Sequence, residues 1–107
     1  MLTERDCPFQ FNAADDVIIE RETGERWERD ATFDYGLLAK CATSEGVRIV
    51  AAGIGATATR ACCELLVRAI ERGDTEPYAS PFAGLVRVSL ADESQPPEMI
   101  TRRAWPA

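Results

Sequence analysis

The chain is 107 residues long, 46% hydrophobic and 28% charged, with a formal charge of −6 and no histidine. That length carries one hydrophobic core rather than two, and the composition excludes collagen, coiled coil and intrinsic disorder. The acidic balance argues against a nucleic-acid partner, and the lack of imidazole removes histidine-dependent zinc sites and Ser-His and Cys-His nucleophiles.

No apolar run approaches the ~18 residues that would span a bilayer, and MLTERDCPFQ has no basic-then-apolar signal pattern, so the expected location is the cytoplasm without membrane contact. Cys7, Cys41, Cys62 and Cys63 contain no C-x-x-C spacing. Cys41 in an apolar strand and Cys62 on a helix read as reduced thiols packed as small hydrophobes, with a redox role for the N-terminal Cys7 or the vicinal Cys62-Cys63 pair as the alternative, and neither a metal nor a cofactor is expected.

Residues 17–29, VIIERETGERWER, predict a hairpin. A three-residue loop, Glu22-Thr23-Gly24, places only glycine in the left-handed region and pairs Arg21 with Glu25, Glu20 with Arg26, and Ile19 with Trp27. The same device at Ser44-Glu45-Gly46 predicts a second hairpin over 35–53, with Cys41 opposite Ile49, Ala39 opposite Ala51, and Lys40 opposite Val50. Both of its strands are apolar on most positions of both faces, which suits the middle of a sheet.

Residues 56–72, ATATRACCELLVRAIER, have the helical period. Arg60, Glu64, Arg68 and Glu71 form a charged stripe opposite Ala58, Cys62, Leu65, Leu66 and Ala69, and Gly73 is the expected stop. FAGLVRVSL (82–90) and MITRRAW (99–105) predict two more strands. The expected architecture over 1–107 is a single α/β domain: a mixed, mainly antiparallel sheet of four to six strands, one principal helix, and a single parallel β-α-β crossover.

The succession of "ETGER", "DYGLL", "VRIVAAGIGATATRACCELL" and "FAGLVRVSL" resembles the C-terminal portion of a poorly characterised, Rossmann-like bacterial domain found beside signalling or DNA-binding modules. The correspondence covers about residues 17–104. It rests on Asp34-Tyr35-Gly36, on Ala52-Gly53, and on Ala58-Thr59. The chain departs from the pattern at Ala58, where the family has glycine, and in lacking the first strand with its Gly-Ser-Pro or Gly-Gly-Pro loop. In relatives that loop is the expected ligand contact.

Gly53-Ile54-Gly55-Ala56-Thr57-Ala58 matches G-x-G-x-x-G/A at a helix start, where free amides and the positive end of the helix dipole attract anions. Gly53, Gly55, Thr57 and Thr59, with Asp34 as a possible base or hydrogen-bonding group, therefore form a candidate phosphate site. The dinucleotide fingerprint also requires an acidic residue about 20 positions on at a strand end, and none stands there. A tight strand-to-helix turn explains the same glycines.

A second candidate comes from the sheet faces. One helix covers one face only, so the opposite face, expected to carry Lys40, Arg48, Arg87 and Arg102, needs another cover. Either the N-terminal segment with Phe9 and Phe11 folds across it, or a second copy of the chain does. The expected function is a non-catalytic accessory or protein-interaction domain, homodimeric or docked on a partner through that face. The alternative is a small-ligand or nucleotide-phosphate sensor or enzyme using the 53–59 turn.

Overall fold

The computed structural model describes residues 7–12, 16–43, 46–73, 80–92 and 94–105. Along the chain come β1 (Phe9–Asn12), β2 (Val17–Glu20), β3 (Arg26–Glu28), β4 (Phe33–Thr43), β5 (Gly46–Gly53), α1 (Ala56–Arg72), β6 (Phe82–Ser89) and β7 (Glu98–Ala104). The first three strands form a small sheet in the order β1-β2-β3, and the other four a larger one in the order β5-β4-β6-β7.

β4 explains the layering. It is flanked by β5 and β6 and is apolar toward both faces, as a strand covered on two sides must be. Leu38 points to a cluster with Ala58, Ala61 and Cys62 of α1 and Phe82, Val86 and Val88 of β6. Leu37, Ala39 and Cys41 point the other way, to Phe9 and Ile18 of the small sheet and to Leu85 and Trp105. The order of layers is small sheet, large sheet, helix.

The expected parallel β-α-β crossover is not present. β5 and β6 each pair antiparallel with β4, on its two sides, so they run in the same direction without pairing. Every strand pair among the described residues is antiparallel, which replaces the expected single mixed sheet and excludes a Rossmann-like α/β fold. The physical reason is the pairing on offer. Once the short β4–β5 connection has closed, β6 returning over α1 meets two open edges, that of β5, which it would pair parallel, and that of β4, which it pairs antiparallel, and the antiparallel ladder is the slightly more stable per residue.

Both hairpins differ from the expected pairing by one residue. In the first, Ile18 rather than Ile19 faces Trp27, Ile19 faces Arg26, and Val17 faces Glu28. Gly24 adopts the left-handed region (φ 76°), with its amide on the Glu20 carbonyl at 2.8 Å. A one-residue slip exchanges the two faces of a strand. Here it puts Trp27 on the same side as Ile18, 6.2 Å from the Phe9 ring and packed on the core between the sheets. Burying much of an indole outweighs exposed charge pairs of a few tenths of a kcal/mol each.

In the second hairpin Thr43 pairs with Gly46, so Leu38 meets Ala51, Ala39 meets Val50, Lys40 meets Ile49, and Cys41 meets Arg48. This register sends Leu38 and Ala51 together beneath the helix.

The sheet face expected to need a cover has one. β1, absent from the predicted elements, pairs with β2 and carries the buried Phe9 and the half-buried Phe11 onto the large sheet. Glu20 falls on the same inward face and is buried, and Arg103 of β7 reaches it from the other sheet with Nε and Nη2 both 2.6 Å from Oε1. The Thr23 hydroxyl donates to the second oxygen at 3.1 Å.

Candidate functional site

The turn from β5 into α1 has two residues, Ile54 and Gly55, between the elements. The helix begins without a capping side chain at Gly55 and without an acidic residue in its first turn. Its unsatisfied amides and positive dipole end therefore call for an anion from elsewhere.

Asp34 supplies it. This fully buried β4 carboxylate accepts from the Gly55 amide at 3.1 Å and the Tyr35 amide at 3.0 Å through Oδ1, and from the Ala58 amide at 2.9 Å through Oδ2. Arg29 covers it, with Nε 3.7 Å from Oδ1. Arg29 is brought there by the turn before β4, where Asp30 Oδ1 accepts the amides of Thr32 and Phe33, each at 2.7 Å. Those amides, Phe33's first, hold the Asp30 carboxyl below its ordinary value.

The two glycines serve close approach. A side chain at Gly53 would run into the Thr59 amide, and a Cβ at Gly55 would stand 2.7 Å from Asp34 Oδ2 and 2.8 Å from Arg29 Nε. Thr59 turns inward, its hydroxyl accepting the Gly53 amide at 2.9 Å and donating to the Gly55 carbonyl at 3.2 Å. Thr57 points away, onto a groove of about 350 Å³ that it lines with Arg60, Glu64, Ser89, Gln95 and Pro97. Arg60 and Glu64 pair with each other at 3.4 Å. Thus Gly53, Gly55, Thr59 and Asp34 are brought together and Thr57 is not. The Gly55 and Ala58 amides that would grip a phosphate are bonded to the chain's own carboxylate.

The four cations expected on one surface divide between two. Lys40 lies on the helix side of β4 with Leu38, and Arg102 lies over the Phe82 ring, 4.4 Å from its centroid. Arg48 pairs with Cys41 and Arg87 with Tyr35, on the side of the small sheet. Arg87 also pairs with Glu98 and sits 4.6 Å above the Phe33 ring. The one-residue change in the β4–β5 register separates Lys40 from Arg48.

Cys7, Cys41 and Cys62 are buried free thiols, while Cys63 is exposed. Burial pushes the Cys62 thiol up to about 12, with Cys63 and Asp34 adding to the same effect. The Tyr35 phenol is also raised by burial, against the opposing influence of Arg87. No group of three or more His, Cys, Asp or Glu side chains able to hold a metal occurs among the described residues, nor any helix long and apolar enough to cross a membrane.

A feature that composition does not show is the edge of the large sheet. β5 pairs with β4 on one side and with no other strand among the described residues. Val47 and Ile49 on it are 65% and 51% exposed, and Val67 and Ile70 on α1 are 50% and 60% exposed. Since Thr57, Ala61 and Glu64 look toward β6 and the segment before β7, the opposite flank of the helix, with Leu66 and Ile70, lies over β5. The sequence signal was available: GVRIVAAG is a strand with a single charge. Its place at the edge follows only from the order of strands.

No protein-family model matches the chain, and no curated protein or solved structure does.

Proposed function

We propose that this chain is a non-catalytic, cytoplasmic interaction module that presents the β5 edge of its larger sheet to another polypeptide. The observation that carries this reading is the row of exposed branched side chains along β5 and the adjoining flank of α1, where β5 has one strand partner among the described residues. Proteins ordinarily protect such an edge with charge, proline, a bulge or shortness. β7, the opposite edge, has Glu98, Arg102, Arg103 and a register shift opposite Leu85 and Val86, and the small sheet ends in strands of four and three residues. β5 is eight residues long with Arg48 as its one charge. Strand addition to such an edge takes affinity from main-chain hydrogen bonds and specificity from alternate side chains.

Two observations move the reading from the sheet face to its edge. The small sheet covers the face, and the helix N-terminus holds Asp34 where a phosphate would bind. The test is a titration of isotope-labelled protein, at low micromolar concentration, with a soluble peptide of alternating valine and lysine. Chemical-shift changes confined to residues 46–53 and the Leu66–Ile70 flank are expected. Saturating peptide that leaves those signals in place overturns the edge reading.

A further inference from the structure

We infer that the polypeptide received by this edge is a second copy of the same chain, joined through antiparallel β5–β5 pairing about a twofold axis near Ile49, so that two four-stranded sheets become one of eight strands. The inference rests on the edge reading and adds the identity of the partner.

Charge is the first argument. The molecule carries −6, so two copies repel over most approaches. The stretch from Gly46 to Gly55 contains no acidic residue, and Arg48 is its only charge. A twofold centred on Ile49 sets Ile49 against itself, Val47 against Ala51, and Arg48 against Val50. The one cation then meets an aliphatic side chain rather than its own image, and apolar residues meet apolar residues along the seam. An isologous contact requires such self-complementarity.

Area is the second. Paired residues of an antiparallel ladder share a face, and Ile49 pairs with Lys40 on the Leu38 side, so Val47, Ile49 and Ala51 all point to the helix layer. The twofold keeps both helices on that side and brings the two Ile70 flanks toward each other above the joined strands. Three side chains at least half exposed, Val47, Ile49 and Ile70, together with an eight-residue strand edge, come to an interface on the order of 1,000 Å² over both copies. That is the lower limit for specific association and describes a reversible, concentration-dependent dimer rather than an obligate one.

Sedimentation of the full chain from about 5 to 500 μM, a range that brackets micromolar affinity, should move the mass from 11.8 kDa toward twice that value. Ile49→Lys should weaken the dimer at least tenfold, because the twofold sets the two lysines against each other. Val47→Lys, at a more exposed site, should do the same to a lesser degree. Circular dichroism and the urea midpoint establish that each variant is folded. A wild-type chain that stays at 11.8 kDa throughout overturns the inference. If the valine–lysine peptide still shifts residues 46–53, only the self-partner falls; if it does not, the edge reading falls with it. A dimer untouched by both lysines, in folded variants, also overturns the proposed seam.

Discussion

Replacing Asp34 with alanine removes a side chain that joins β4, the β5–α1 turn and the first turn of the helix. Three amides, those of Tyr35, Gly55 and Ala58, lose an ionised acceptor inside the protein, and Arg29 loses its counter-charge. Hydrogen bonds to charged groups contribute ~1.5–3 kcal/mol each, and an unsatisfied buried amide costs ~1–3 kcal/mol. Loss of an ordinary helix cap costs ~0.5–2 kcal/mol. Arg29 is half exposed, and water reaches part of the vacated space, so the sum is smaller than three full bonds. About 3–5 kcal/mol is expected, in line with breaking a buried charge network. Near this chain length, at about 4.4 °C per kcal/mol, that lowers the melting temperature by roughly 13–22 °C.

Asp34→Asn preserves shape but turns an amide NH₂ toward one of the donors, and about 2–3 kcal/mol is expected. Urea and thermal denaturation followed by circular dichroism measure both. The vacated cradle in the alanine variant, with two helix-end amides beside Arg29, should also acquire affinity for sulfate or phosphate. A hundredfold excess over the dissociation constant restores ~2.7 kcal/mol to the variant and leaves the wild type unchanged. A loss below 1 kcal/mol in the alanine variant, or equal stabilisation of the wild type by phosphate, refutes the view that Asp34 fills the anion position.

Arg103→Ala leaves the buried Glu20 with the Thr23 hydroxyl as its side-chain partner among the described residues, and should lower stability by about 2–3 kcal/mol, less than a fully buried pair because the guanidinium is partly exposed. Adding Glu20→Gln should recover part of that loss, read as non-additivity in urea midpoints. An aromatic disulfide reagent at pH 8 should label Cys63 rapidly and Cys62 only at the rate of unfolding, and Cys63→Ser should abolish the fast phase. Cys62 also sets an alkaline limit: below pH 9 it is protonated in both states, and between 9 and 12 only the unfolded chain ionises. Its stabilising contribution is therefore full below pH 9 and falls as pH rises to 12, by ~1.4 kcal/mol per unit and about 4 kcal/mol in all. Cys62→Ala should flatten the slope of unfolding free energy against pH in that range, and an unchanged slope refutes the assignment.

The helix was legible because its evidence is local. Ala58, Cys62, Leu65 and Ala69 recur at helical spacing, and Gly73 ends the run in the left-handed conformation (φ 70°), as the sequence leads one to expect. Strand pairing was less legible, and the two hairpins show why. Opposite charges at Arg21, Glu25 and Arg26 favour one register locally, by energies that solvent and salt screen to a few tenths of a kcal/mol. What decides the register is the face of Trp27, and that depends on Phe9 and on a second sheet some residues away. The strand FQFN carried its own signal in the alternation of Phe9 and Phe11, but a four-residue strand is indistinguishable from a loop until β2 and the large sheet give it something to cover.

The site was legible residue by residue and illegible as an arrangement. Glycines at 53 and 55, a threonine at 59 and an acid at 34 were all visible, yet the motif was compatible with a bound phosphate and with a plain turn. The difference lies in what neutralises the helix end, and the sequence near the helix held the clue. Gly55 has no capping side chain, and none of the first helical residues is acidic, although a buried helix start requires an acceptor. An exposed start would satisfy this with water. One packed against β4 and β5 requires a ligand or an acid from a neighbouring strand. Asp34 stands directly before Tyr35 in the strand that pairs with β5, and the Ile54 amide donates to the Tyr35 carbonyl at 2.9 Å, which fixes that neighbourhood. In an antiparallel sheet, therefore, the acid that completes such a turn is to be sought on the paired strand opposite the glycines. A parallel dinucleotide fold places it instead about 20 residues downstream.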